Sequence, residues 1–176
     1  MELFEKFGSD YREVPNYWEG NCFGCSRTNK DGLHLPIYFS EKGCYSITSI
    51  PEKFCGFEGL VHGGIIATLL DEIAAWTIII HLLKMGITQE VKIKYLKPVK
   101  TNTPIILEGT IVSQNKEKAI IKSFIKDKEN NYLAECESKW FLPDFKTIEK
   151  ITGKKASKIE EVLNKTINPI KEIIKK

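Results

Sequence analysis

The sequence predicts an α+β protein in which an antiparallel sheet of about six strands curls around one long, very apolar helix. The helix is indicated by the run from Gly64 to Met85, which is mostly apolar. The strands are indicated by segments that alternate apolar and polar residues, and the short connections between the last of them predict antiparallel neighbours. Such a helix is buried most simply if the sheet wraps around it.

Length and composition describe an ordinary globular protein. Of the 176 residues, 42% are hydrophobic and 28% are charged, which excludes a disordered chain, a collagen-like repeat and a small disulfide scaffold. The net charge of +3 is too small to indicate a nucleic-acid-binding protein. Residues 1–143 carry 17 Lys and Arg against 18 Asp and Glu, whereas residues 144–176 carry 9 against 5. We therefore expect a main domain over 1–143 and a basic helical tail over 144–176.

The cysteines and the start of the chain predict a cytoplasmic protein. There are five cysteines, an odd number, and no apolar run follows Met1. The long apolar helix could almost span a bilayer, but Asp71 and Glu72 lie in its middle, where charge is costly in a membrane. We expect a soluble protein with neither a membrane nor a nucleic acid as partner.

The elements follow in chain order. Strands are expected where residues Leu33 to Phe39 alternate, and at Cys44 to Ile50, which is rich in β-branched and aromatic residues. A glycine-rich loop then leads into a helix over Ile65 to Met85, with Gly86 as its stop. Four further strands are predicted at Glu90–Leu96, Pro104–Ser113, Lys118–Lys126 and Tyr132–Leu142.

The tail is expected to form an amphipathic helix packed on the main domain. Its apolar residues recur at helical spacing, and Pro169 should end or kink the helix. A tail that binds a membrane surface or another protein is the alternative.

His62, Gly63 and Gly64 lie where the loop becomes the helix. Backbone N–H groups in a first helical turn lack partners within the helix and carry the positive end of its dipole. Glycine allows another molecule to approach that backbone closely. The pattern indicates an oxyanion hole or an anion site, although a plain glycine turn would give the same three residues.

Asp71 lies inside the apolar helix, where its helical neighbours are small: Ala67, Thr68, Ala74 and Ala75. A buried carboxylate has a raised pKa, which suits a general base. The alternative is an aspartate bonded to a polar group of the core or pointing to water. We interpret Glu72 as structural.

The two features are too far apart to act together within one chain. His62 and Asp71 are nine residues apart, which is roughly 13.5 Å along a helix axis. Two such helices, packed antiparallel about a twofold axis, would bring the glycine end of one to Asp71 of the other. If both features are catalytic, the protein is a homodimer or a tetramer built from dimers.

Over about Asn21 to Leu142 the chain resembles hotdog-fold thioesterases of the phenylacetate-pathway and acyl-CoA thioesterase superfamily. The resemblance lies in Cys22-Phe-Gly-Cys25 with Asp31-Gly-Leu33, Gly59-Leu-Val-His62-Gly63-Gly64 with Asp71, and Thr88 leading into Tyr95-Leu-Lys97-Pro98-Val99. It implies the hotdog fold, a long central helix wrapped by an antiparallel sheet, and assembly as dimers or tetramers.

The resemblance also implies an activity and site residues. Asp71 would be the nucleophile or the base that activates water, and the Gly63 N–H would polarise the thioester carbonyl from the partner subunit. His62 would position the carbonyl or the loop, and Thr88 would hold the water or orient Asp71. Many relatives carry Asn about six residues before this histidine, where the chain has Gly56.

An acyl-CoA is therefore the expected substrate, and no cofactor or metal is expected. We predict substrate contacts at Glu58, Gly59, Gly64, Thr68 and Lys97. We expect the acyl chain to lie along Ile65, Ile66, Leu69 and Ile73. Cations for the coenzyme A phosphates are offered by Lys92, Lys94, Lys97 and Lys100, although a solvated strand face is the simpler interpretation of these lysines.

Two other interpretations were weighed against thioester hydrolysis. Cys22 and Cys25 alone are weak evidence for zinc, since a structural site needs about four ligands, although His34, Cys44 and Cys55 could add to them. A hotdog protein that binds acyl-CoA without cleaving it is the alternative from another functional class.

Overall fold

A computed structural model describes residues 12–18, 20–40 and 43–174, and it has the predicted architecture. A long helix packs against a large antiparallel sheet, which confirms the α+β class and the hotdog fold. The described part does not include residues 1–11 and 175–176. These residues lie at the outer ends of the predicted main domain and the predicted tail.

Nine strands and three α-helices are described. The strands are β1 Arg12–Glu13, β2 Tyr38–Ser40, β3 Gly43–Ser49, β4 Cys55–Phe57, β5 Leu60–Val61, β6 Ile87–Tyr95, β7 Pro104–Gln114, β8 Lys118–Lys126 and β9 Tyr132–Phe141. The helices are α1 Gly63–Leu82, α2 Phe145–Thr152 and α3 Ala156–Ile174. Seven strands form one antiparallel sheet in the order β1-β2-β3-β7-β8-β9-β6, while β4 and β5 form a separate hairpin that leads into α1.

The strand expected over Leu33 to Phe39 is reduced to β2. Its odd-numbered apolar residues are buried as the alternation predicts, but the backbone before Tyr38 bonds elsewhere. The N–H groups of Leu33 and Leu35 donate to carbonyls of the Cys22–Cys25 loop at 2.7 and 3.0 Å. His34 between them has a positive φ of 52°, which a regular strand does not allow.

Helix α1 begins and ends earlier than expected. It starts at Gly63 rather than Ile65, and Leu83 closes it in the left-handed conformation. Gly86, the predicted stop, serves packing instead, because a Cβ atom there would lie 2.8 Å from the side chains of Ile78 and Trp140.

The tail contains the predicted amphipathic helix, preceded by the short helix α2. The buried side chains of α3 join the main core: Ile159, Leu163, Ile167 and Ile170. Of the two effects expected of Pro169, an end or a kink, the end is wrong, since α3 continues to Ile174. Pro169 lies on the exposed side, where water can satisfy a carbonyl group that a proline leaves unbonded.

Helix α1 and strand β7 approach each other closely at Gly109. A Cβ atom at this position would lie 2.0 Å from Thr77 Oγ1 and 3.0 Å from the Ile73 carbonyl oxygen. Thr77 is fixed there, because its hydroxyl donates to that same carbonyl at 2.7 Å. A glycine at position 109 therefore sets the distance between the helix and the sheet.

We predict that Gly109→Ala destabilises the protein, because overpacking a core costs roughly 1–3 kcal/mol. Adding Thr77→Ala to Gly109→Ala should recover part of the loss, since it removes the nearer of the two clashing atoms. Urea unfolding of both variants and of Thr77→Ala alone measures the coupling. An unchanged unfolding free energy in Gly109→Ala would contradict this account of the helix–sheet contact.

Candidate active site

The N-terminus of α1 presents one backbone donor without a partner. His62 caps the helix in an extended conformation, and its Nδ1 accepts the Gly64 N–H at 2.9 Å. The N–H groups of Ile65 and Ile66 both donate to the His62 carbonyl. Among the first-turn donors, only the Gly63 N–H therefore lacks a hydrogen-bond partner in the described part of the chain.

Two neighbours hold this helix start in place. The Tyr95 hydroxyl, from the end of β6, donates to the Gly63 carbonyl at 3.1 Å. On the other side, a Cβ atom at Gly56 would lie 3.2 Å from the His62 Cα atom and ring. Gly56 therefore lets the β4–β5 hairpin lie against His62, which gives a local reason for glycine at this position.

Asp71 lies two turns further along α1 and is paired with Thr88 of β6. The Thr88 hydroxyl donates to Asp71 Oδ1 at 2.9 Å. Partial burial raises the pKa of Asp71, and the hydrogen bond from Thr88 opposes part of that rise. Among the described residues, no hydrogen-bond donor contacts the second carboxylate oxygen, so it can accept a proton.

Within one chain the structure does not bring Gly63 and Asp71 together. They are eight residues apart on the same helix, which is about 12 Å along its axis. A stripe of residues that are not fully buried runs along α1, and apart from Asp71 they are small: Gly64, Ala67, Thr68, Asp71 and Ala75. Strand β6, an edge of the sheet, exposes Ile87, Val91 and Tyr95.

A cleft of about 630 Å³ opens beside the start of α1. It is bounded by the hairpin, the first turn of the helix and the segment that follows β6. Phe57, 80% exposed, stands at its edge. The lining includes Phe57, His62, Gly63, Ile66, Tyr95 and Lys97.

Of the predicted substrate contacts, Lys97 lines this cleft, and the other four do not. The Gly59 N–H donates to Glu52 Oε1 at 2.8 Å, and Glu58 is exposed at the same turn. The Gly64 N–H is taken by His62, and the Thr68 hydroxyl donates to the Gly64 carbonyl at 3.0 Å.

The expected acyl slot also needs correction. Leu69 and Ile73 are fully buried in the core of the single chain, so they face the sheet rather than a ligand. Ile66 lines the cleft and remains available for contact with an apolar chain.

Of the four candidate lysines for the coenzyme A phosphates, Lys97 lines the cleft, whereas Lys92 and Lys94 do not. Lys94 forms an ion pair with Glu135 at 2.7 Å, which raises its pKa. Lys92 and Lys94 line a different pocket, together with Glu135 and Glu137. Lys97 at the cleft is therefore the better candidate.

Sequence reasoning assigned no role to two residues that the structure places beside the candidate groups. Tyr95 was noted only as part of a motif and of a strand in which it alternates with lysines, and its hydrogen bond to Gly63 depends on tertiary contact. Glu72 was interpreted as structural, but its carboxylate lies beside the thiols of Cys22 and Cys25. Burial raises the pKa of Glu72 to about 7. Nothing in the local sequence connects residues 50 positions apart.

Comparison with known proteins finds similarity to thioesterases over part of the chain. Residues 58–134 match the family model of the thioesterase superfamily. A protein of Saccharolobus solfataricus, named as a proposed esterase, is 28% identical over 90 residues, which cover 51% of this chain and 59% of that protein. This chain thus matches less than two thirds of that relative's length.

Solved structures show the same fold. A hypothetical thioesterase of Streptococcus pneumoniae, crystallised with coenzyme A, has a TM-score of 0.58 and 24% identity, over 62% of this chain and 85% of that one. A Streptococcus mutans protein bound to acetyl-CoA has a TM-score of 0.58 and 23% identity, over 62% and 88%. The resemblance to hotdog-fold thioesterases that the sequence predicts is confirmed.

The helix cap can be tested without any assumption about activity. His62→Ala removes the acceptor for the Gly64 N–H, and losing such a cap costs about 1 kcal/mol of unfolding free energy. His62→Asn keeps a side-chain acceptor and should lose less. Urea unfolding measures both, and equal stability of all three proteins would show that the cap contributes nothing.

Proposed function

We propose that this chain, with its hotdog fold and its match to the thioesterase superfamily, hydrolyses acyl-CoA thioesters at a site shared by two copies. The observation that carries the proposal is the pair of groups on α1. An unpartnered Gly63 N–H begins the helix, and a half-buried carboxylate, Asp71, lies about 12 Å further along it. Neither group can complete a hydrolytic site within its own chain.

Two copies of α1 packed antiparallel would solve this problem. The stripe of small residues allows close approach of two helices, and the exposed edge of β6 lacks a partner strand within the described chain. A twofold axis through this face would pair each Asp71 with the Gly63 of the other copy. Such a homodimer, alone or within a tetramer, would have two equivalent sites.

The chemistry at such a site needs few groups, because a thioester is already activated. Asp71 accepts a proton from a water molecule while the water oxygen bonds to the carbonyl carbon. The carbonyl oxygen gains negative charge and accepts the Gly63 N–H. The tetrahedral intermediate then collapses, the C–S bond breaks, and the coenzyme A thiolate leaves. Thr88, bonded to Asp71 Oδ1, keeps the second oxygen directed at the water. Direct attack by Asp71 is the alternative chemistry.

The substrate class is supported by neighbours of the fold. Two proteins with the same architecture were crystallised with coenzyme A and with acetyl-CoA. In this chain, Ile66 and the exposed Phe57 offer apolar contact for an acyl group, and Lys97 offers a cation for a phosphate.

We expect Asp71→Ala to abolish hydrolysis, with a loss of about 10²–10⁴-fold or more, as for other general bases. Release of free thiol from short, medium, long and aromatic acyl-CoA esters measures the rate, and size-exclusion chromatography checks that the oligomer is intact. An unchanged rate would remove Asp71 from the mechanism. Wild-type protein that binds the esters but releases no thiol would instead be an acyl-CoA-binding protein without catalysis.

The shared site predicts complementation between two inactive variants. Gly63→Pro deletes one N–H group and should leave the helix intact, because proline is favoured at the first helical position. The extended conformation of His62 also suits a residue before proline. Loss of an oxyanion donor costs about 10²–10³-fold in kcat.

When Gly63→Pro and Asp71→Ala chains are mixed and reassembled, half of the dimers should be mixed, and each of those should contain one whole site. The mixture should therefore recover about a quarter of wild-type activity. Gly63→Ala is the matched control, since it keeps the N–H and its methyl group would meet only the Tyr95 ring at 3.8 Å. Mixed dimers without activity would contradict the shared site.

A further inference from the structure

We propose that Cys22, Cys25 and Glu72 form a binding site for one zinc ion, on the side of α1 where the loop after β1 crosses the helix. This site shares no residue with the lining of the cleft, and its ligand Glu72 directly follows Asp71 on α1. The proposal does not depend on the proposed hydrolase activity. It also departs from our expectation that the protein binds no metal.

The positions of the donor atoms fit zinc. The two Sγ atoms are 3.4 Å apart, and Cys22 Sγ lies 3.9 and 3.8 Å from the two oxygens of Glu72. All three donor groups lie within 4.8 Å of one another. Tetrahedral zinc, with bonds of about 2.3 Å to sulfur and 2.0 Å to oxygen, would place sulfur atoms about 3.8 Å apart and sulfur about 3.5 Å from oxygen. Shifts of a few tenths of an ångström would bring the distance between the two sulfur atoms and the distance from Cys22 Sγ to Glu72 to these values.

The close approach of the loop to the helix depends on Gly24. A Cβ atom there would lie 2.3 Å from Glu72 Oε2, so a side chain at this position would displace the carboxylate. The loop is anchored by backbone hydrogen bonds, in which Leu33 donates to the Phe23 carbonyl and Leu35 to the Gly24 carbonyl. Both cysteines are thus held over Glu72 before any ion binds.

Glu72 lacks a cation to balance its charge. No ion pair in the described part of the chain involves this carboxylate. Its hydrogen-bond partners are Trp76 Nε1, at 3.1 Å, and the Cys22 thiol. An ionised carboxylate in this position is costly without a cation, and a divalent ion held by the neighbouring sulfurs would supply one.

The donor set favours zinc over other common cations. Thiolates are soft ligands that select zinc and disfavour magnesium and calcium, which prefer oxygen. Because Cys22 is exposed, a water molecule can fill the fourth coordination position.

The third ligand, Glu72, is not among the residues that the sequence analysis named as additional zinc ligands. His34 Nε2 is hydrogen-bonded to the Asn29 carbonyl, and Cys44 is fully buried under the sheet. Neither these residues nor Cys55 belongs to the cluster. Glu72 takes their place because the loop crosses α1 at that turn.

The test uses the full chain, kept reduced and freed of metal with a chelator. Calorimetric titration with zinc should give one ion per chain, and cobalt should give the absorption band of thiolate-to-cobalt charge transfer. Cys22→Ser and Cys25→Ser should each weaken zinc binding by about 100-fold or more, since loss of outer-shell partners alone costs 10–100-fold. Glu72→Gln should weaken it by at least about 10-fold.

Cys55→Ser is the matched control, because Cys55 is also an exposed free cysteine but lies outside the cluster, and it should bind zinc as the wild type does. Circular dichroism shows whether each variant is folded. Glu72→Gln tests whether the carboxylate contributes to zinc binding while both cysteines are still present. Absence of one-to-one binding by the reduced wild type would overturn the proposal, as would equal binding by a folded Cys22→Ser, Cys25→Ser double variant. If the reduced protein does not bind zinc but forms a Cys22–Cys25 disulfide on oxidation, the zinc proposal is overturned and the two cysteines are a redox pair.

Discussion

The rest of the structure depends on the burial of α1. A helix with so many isoleucine and leucine side chains is stable in water only when it is covered. The long strands β3 and β7–β9 and the helix α3 all contribute side chains to the two cores that enclose it. The residues of α1 that are not fully buried include a stripe of small residues, and this stripe contains Asp71, which we connect with function.

Local sequence was sufficient for the features that depend on neighbouring residues. Strand β8 has the predicted bounds, Lys118–Lys126. They could be predicted because the alternation of apolar and polar residues and the residues of a hairpin turn are visible in consecutive positions of the sequence. The glycine start of α1 and its single aspartate could be singled out for the same reason. An acidic residue in a long apolar run, and glycines at a loop–helix boundary, are local departures from pattern.

Other features depend on tertiary contacts, and these could not be predicted. The segment before β2 alternates like a strand, yet its backbone bonds to a distant loop. Leu69 was placed in a ligand slot because periodicity shows which residues share a face but not what covers that face. Glu72 was interpreted as structural because its partners lie 50 residues earlier in the chain. In each case the sequence does not show which distant segment of the chain packs against the residue.

The rigid spacing along α1 restricts how this protein can change during evolution. Each residue added to or removed from an α-helix turns everything beyond it by about 100°. A single insertion between Gly63 and Asp71 would rotate the carboxylate away from Thr88. An insertion in the turn between β7 and β8 would leave the spacing of Gly63 and Asp71 on α1 unchanged. We therefore expect natural relatives to differ in length at their hairpins and to keep a constant count between the glycine and the acid.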